Sequence, residues 1–106
     1  MTQATAGNGK KDQPTWLEVT SEGFSVTLKY PTELCHSVVD KVSMRSPTVR
    51  EIRAADVASN GDAEKRELLL FSSLTTIPTA DLETLKYRDY RRLQAGYFRL
   101  VDEDEL

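Results

Sequence analysis

One cysteine and one histidine are all this chain offers of the residue types that most often bind metals or act as bases. Cys35 alone cannot close an intramolecular disulfide, and a zinc site built on several thiolates is excluded. Only carboxylates are left to complete a metal set, and no spacing of theirs singles out a ligand group. The five glycines are scattered, so none builds a loop that could cradle a phosphate. Apolar runs such as residues 68–71 fall far short of the roughly 20 residues a membrane helix needs. The amino terminus has no apolar stretch of the secretory type. These absences point to a cytoplasmic protein with no cofactor and no membrane partner.

Cys35 and His36 are neighbours, and together they are the only nucleophile and base that could be imagined as a pair. Adjacent residues of an extended segment face opposite sides, which separates thiol from imidazole. Cys35 therefore reads as a small packed residue and His36 as a loop side chain, and no catalytic residue is assigned.

What is present describes a single small domain. In 106 residues, 39% are hydrophobic and 29% charged, and the net charge of −3 gives no general attraction for a phosphate backbone. Residues 1–15 hold almost nothing that could be buried and read as a disordered arm. A domain over 16–101 follows, and residues 102–106 form an acidic tail, whose charge opposes the dipole at the end of a helix.

Within the domain, Trp16, Leu17 and Val19 are the first apolar residues, and 21–23 reads as a turn. Phe24, Val26, Leu28 and Tyr30 alternate with polar residues and would share one face of a strand. Pro31 interrupts it, and residues 37–44 supply a second extended stretch, so the two pair as an antiparallel hairpin joined by a loop of several residues. Ser46, or Thr48 with Glu51, caps a helix running to about Ser59, where Asn60-Gly61 ends it. A second helix over about 62–75 carries Leu68, Leu69, Leu70, Phe71 and Leu74. After Pro78, Thr79 caps a short helix reaching Leu85. A last helix over 88–100 turns Tyr90, Leu93, Tyr97 and Val101 inward and Arg88, Arg92 and Arg99 outward. The expected fold class is α+β, an antiparallel hairpin packed on a small bundle of three to four short helices.

Asp56 lies near the centre of the stripe holding Val49 and Ile52, where a carboxylate needs a partner; Arg53 or an arginine of the last helix could provide it. The basic and aromatic residues of 86–94 have the texture of a nucleic-acid binder, which supplies an alternative reading as a small DNA-binding or regulatory protein. The amphipathic pattern places Tyr90 on the apolar side, however, and nucleic-acid binding is disfavoured.

The chain resembles a known group over residues 38–55 and 80–98. A strand closing on Val42-Ser43-Met44-Arg45-Ser46-Pro47-Thr48, then Val49-Arg50-Glu51-Ile52-Arg53-Ala54-Ala55, is similar to the strand, Pro-Thr turn and Arg-Ala-Ala helix of the tail assembly chaperones of Mu-like and related contractile-tailed phages. Residues 68–74, Ile77-Pro78, Asp81-Leu82 and 85–94 resemble its later helices and linker. The loop near Leu34-Cys35-His36 departs from that pattern, where a Gly-containing turn is usual. The resemblance implies a non-enzymatic protein that binds the tape-measure protein, keeps it soluble in the host cytoplasm during tail assembly and is absent from the mature virion. For such a holder, Trp16, Arg88, Arg92, Tyr97 and Phe98 are the candidate partner contacts, with Asp56 as a structural polar residue. Trp16, Tyr97 and Phe98 could each serve the core instead, and self-association is a further expectation, because so small a fold buries a limited share of its surface.

Overall fold

The computed structural model describes residues 14–102. The expected arm over 1–15 and the acidic tail over 102–106 fall almost wholly outside these residues. The described residues begin with three strands, β1 (Leu17–Thr20), β2 (Gly23–Leu34) and β3 (Ser37–Arg45), paired antiparallel in the order β1-β2-β3. Four helices follow: α1 (Val49–Ser59), α2 (Ala63–Thr75), α3 (Thr79–Leu82) and α4 (Tyr87–Asp102). The fold is α+β, as the residue pattern implies, and the hairpin is widened by one strand.

That extra strand exists because residues 21–22 make a tight return. Thr20 Oγ1 accepts from the Glu22 N–H and donates to the Gly23 carbonyl. Glycine is required at 23, because a Cβ there would stand 2.1 Å from the Met44 carbonyl oxygen. Leu17 then falls opposite Val26, and Phe24 opposite Met44.

The sheet has one covered face. Leu17, Phe24, Val26, Leu28, Val42 and Met44 are buried, while Thr27, Lys41 and Ser43 between them are exposed. Strand alternation sets this two-sidedness, and the helices must supply the cover. α4 lies over β1 and β2, and α2 lies over β3. Phe71 of α2 meets the rings of Tyr90 and Tyr97 of α4 at 5.8 and 5.3 Å, which joins the two covering helices. Gly96 lets α4 sit close to the sheet, since a Cβ there would meet the Phe24 ring at 2.5 Å.

The alternation does not run the whole length of the hairpin. β2 passes from Thr27 to Thr32 while β3 advances only from Lys41 to Val39, so the register shifts between them. This bulge leaves Tyr30 41% exposed, against its expected place beside Leu28, and turns Val38 out to 73% exposure. Pro31 does not end the strand. It sits in the bulge, where its missing N–H costs no ladder bond.

The expected loop of several residues is a two-residue turn. Cys35 and His36 both have left-handed backbones, with φ of 53° and 70°, the conformation that matches the twist of a hairpin.

The helix ends follow local chemistry. Thr48 caps α1 in a reciprocal box with Glu51, and Asn60 ends it at φ 57°. Asp62 caps α2 by accepting from the Lys65 N–H at 3.1 Å. Thr79, expected as a cap, is instead the first residue of α3. Pro78 holds the cap position, without a side-chain bond, and α3 ends at Leu82. The inward stripe of α4 is also displaced from expectation. Asp89, Leu93 and Gly96 are its buried residues, and Val101 is 42% exposed because the stripe turns away from it.

Candidate functional site

The two residues with nucleophile and base chemistry occupy the tip of the β2–β3 turn. Both are exposed, so Cys35 is not the packed residue expected from sequence; the left-handed turn directs it away from the core. The carboxylate of Asp81, in α3, accepts from the Cys35 N–H at 2.8 Å. That bond steadies a turn lacking the glycine such turns favour. Among the described residues, no group of three or more His, Cys, Asp or Glu side chains could hold a metal ion.

Buried polarity is used for fastening. Asp89, fully buried in the first turn of α4, accepts from the Lys29 N–H at 2.7 Å and the Tyr30 N–H at 3.0 Å. Those two donors belong to the bulge and have no partner on β3. One carboxylate thus closes the bulge and complements the helix dipole. Sequence inspection missed it, since an aspartate in a first turn looks like an ordinary dipole complement and its partners lie 59 and 60 residues away.

Glu67 of α2 accepts from the Tyr90 hydroxyl and from Gln94 Nε2, each at 2.7 Å, and so ties α2 to α4. Burial, and then this carboxylate, hold the Tyr90 phenol protonated well above its usual range. Burial raises Tyr97 as well. Such phenols stay neutral at any ordinary pH and serve as adhesive, amphipathic surface rather than as bases.

The structure disperses the residues singled out for partner contact. Arg92 was expected on the solvent side of α4. Its Nη1 instead donates to the Thr27 carbonyl at 2.7 Å, and its guanidinium stacks over Trp16 at 4.9 Å from the ring centre, clamping β1 to α4. Trp16 is correspondingly half-buried. Tyr97 is half-buried on the opposite side of α4, against Phe71. Arg88 and Phe98 project outward, Phe98 with 65% exposure. Asp56 finds neither Arg53 nor an arginine of the last helix. Its partner is Arg66 of α2, at 3.3 Å, in an exposed pair across the α1–α2 junction.

One surface gathers unsatisfied apolar area. α1 packs on α2 and buries only Ala55 and Ser59, leaving Val49 71%, Ile52 39% and Val57 77% exposed. Beside it runs an open groove between α1, α2 and α4, with Leu70, Phe71 and Tyr97 in its floor, Ile52 and Val57 on its rim, and the Asp56–Arg66 pair at its edge. A soluble domain seldom leaves large aliphatic residues clustered around a groove unless something docks there.

No curated protein and no solved structure matches this chain. A family model does, over residues 25–102: phage tail assembly chaperone proteins, E, or 41 or 14.

Proposed function

The chain belongs to the phage tail assembly chaperone family, and on that premise we propose that it binds the tape-measure protein and keeps it soluble while the tail is assembled. The work is done by surface contact and requires no catalysis. It takes place in the host cytoplasm, and the protein leaves before the virion is complete. No helix among the described residues is long and apolar enough to cross a membrane, which is compatible with that setting.

The observation that carries the reading is the groove between α1, α2 and α4 with its exposed aliphatic rim. A tape-measure protein is long and largely helical, so before the tube closes around it its apolar stripes face water. A groove of this kind accepts one such stripe, with the half-buried Tyr97 against the client helix over a floor backed by Leu70 and Phe71, and Ile52 and Val57 closing over its sides. The charged edge of Arg53, Asp56 and Arg66 stays hydrated and keeps the complex from adhering to others.

Co-expression with the tape-measure protein tests this. The wild-type chain should raise the client's soluble fraction and co-purify with it. Ile52→Asp combined with Val57→Asp should abolish both effects without unfolding the chaperone, since both side chains are already exposed. Unchanged client solubility together with no co-purification would reject the reading.

A further inference from the structure

The outward face of α4 has a layout that the groove does not explain. Tyr87 and Phe98 project from it with 70% and 65% exposure, and the Arg91 guanidinium lies 5.8 Å from the centre of the Tyr87 ring. Arg88, Ala95 and Asp102 form an adjacent line along the helix, all three exposed. Arg88 and Asp102 lie equally far, about two turns, on either side of Ala95. Arg88 has no ion pair or hydrogen bond with any described residue.

The charges on this line stand at the wrong ends of their own helix. A cation in the first turn and an anion in the last turn both oppose the macrodipole. The sequence then continues with Glu103, Asp104 and Glu105, which adds negative charge at the same end. Such a helix is complementary to itself when reversed. A second α4 laid antiparallel would set its Asp102 against Arg88 at the positive end and its Arg88 against Asp102 at the negative end, relieving both conflicts at once. Ala95, small enough for close approach, would lie at the two-fold axis.

We propose that the outward face of α4 pairs antiparallel with the same face of a second copy of this chain, joined by Phe98 and by reciprocal Arg88–Asp102 contacts. The interface is isologous and closes on itself, so it yields a dimer and not a filament. It leaves the groove between α1, α2 and α4 open, because Tyr97 and Phe98 point to different sides of the helix. A dimer would therefore present two grooves to one long client, and the second contact would be intramolecular. The helix is short, so the dimer is expected to be weak and salt-sensitive.

Sedimentation equilibrium of the full chain at low and high salt tests the proposal. The wild type should dimerise at micromolar concentration and loosen as salt rises. Phe98→Ala should weaken the dimer by about tenfold, which corresponds to a truncated interface anchor. Arg88→Asp and Asp102→Arg should each weaken it alone, while an equimolar mixture of the two should recover near-wild-type association. Only an antiparallel pairing predicts both that each single change weakens the dimer and that the mixture returns to the wild-type level; a parallel pairing sets like charges together in the wild type, so its mixture would bind more tightly than the wild type. Far-UV circular dichroism should be unchanged throughout, since every altered side chain is exposed. A chain that stays monomeric overturns the proposal, and so does a dimer indifferent to Phe98→Ala or a mixture no tighter than its components. A monomer whose Phe98→Ala variant loses the client would overturn it in favour of a client contact on this face. None of these outcomes bears on client binding by Ile52 and Val57, which is measured separately.

Discussion

A carboxylate with no exposed atom is costly unless its oxygens are used, and Asp89 uses both, one on each of two bulge N–H groups. Asp89→Ala leaves those part-buried donors without an acceptor and should cost about 2 kcal/mol in urea denaturation. Asp89→Asn keeps one acceptor oxygen and should cost about half as much. Glu51 is a different kind of residue, half-buried and held by its neighbours. The bidentate Arg45 guanidinium, followed by the Thr48 N–H, lowers its carboxyl from 4.5 to about 2. A depressed folded value means that the stabilisation is complete above the ordinary value of 4.5 and is lost as pH falls through about 2. NMR titration should place the Glu51 midpoint near that lower value, and Arg45→Ala should return it toward the ordinary one. A wild-type midpoint already near 4.5 would contradict the pairing.

Among the three long helices, α1 is held least. Its ends are well made, with the Thr48–Glu51 box at one and Asn60 at the other, but the body between them buries only two residues against α2. Local caps define where a helix begins and stops, whereas resistance to opening comes from buried area. Amides of α1 should therefore exchange with deuterium faster than those of α2 and α4, by at least about tenfold, and protection equal to that of α4 would contradict this account. The same looseness would suit the proposed role of α1 as one wall of a docking groove. The α1 hydrophobic stripe shows the limit of periodicity as evidence. Val49 and Ile52 fall on one side as a core-facing pair would, yet both remain in contact with solvent, because no sheet lies beneath them.

At the scale of the whole molecule, one core joins everything. Phe71 is 1% exposed and touches Tyr90 and Tyr97, while α2 as a whole covers β3 and α1 rests on α2. Phe71→Ala should cost about 4 kcal/mol, a large part of the roughly 5–15 kcal/mol that holds a small domain. Because sheet and helices share that core, circular dichroism of the helices and near-ultraviolet signals should fall at the same urea concentration. Separate transitions would mean that the sheet and the helical layer fold independently. Division of labour across the surface follows from the same layout: one flank of α4 is spent on the sheet, the other on α2, and its outward ridge is left over.

The sequence by itself determined the local grammar. Thr48 with Glu51 and Asn60-Gly61 act over one helical turn, so the end of α1 and the start of α2 could be read directly, while the choice between Ser46 and Thr48 as the cap of α1 stayed open until the structure placed Thr48 there. The alternation of Phe24, Val26 and Leu28, and of Val42 and Met44, marked the covered face of the sheet, and the scarcity of His and Cys removed most chemistry. Tertiary structure decided what depends on partners far along the chain. It turned Arg92 inward onto Trp16 and Thr27, moved the partner of Asp56 to Arg66, left Phe98 outside and placed Asp89 under a bulge some sixty residues distant. The reason is range. Caps and turns are settled by neighbours within a few residues, whereas a buried carboxylate, an arginine clamp or an open groove is defined only once sheet and helices have met.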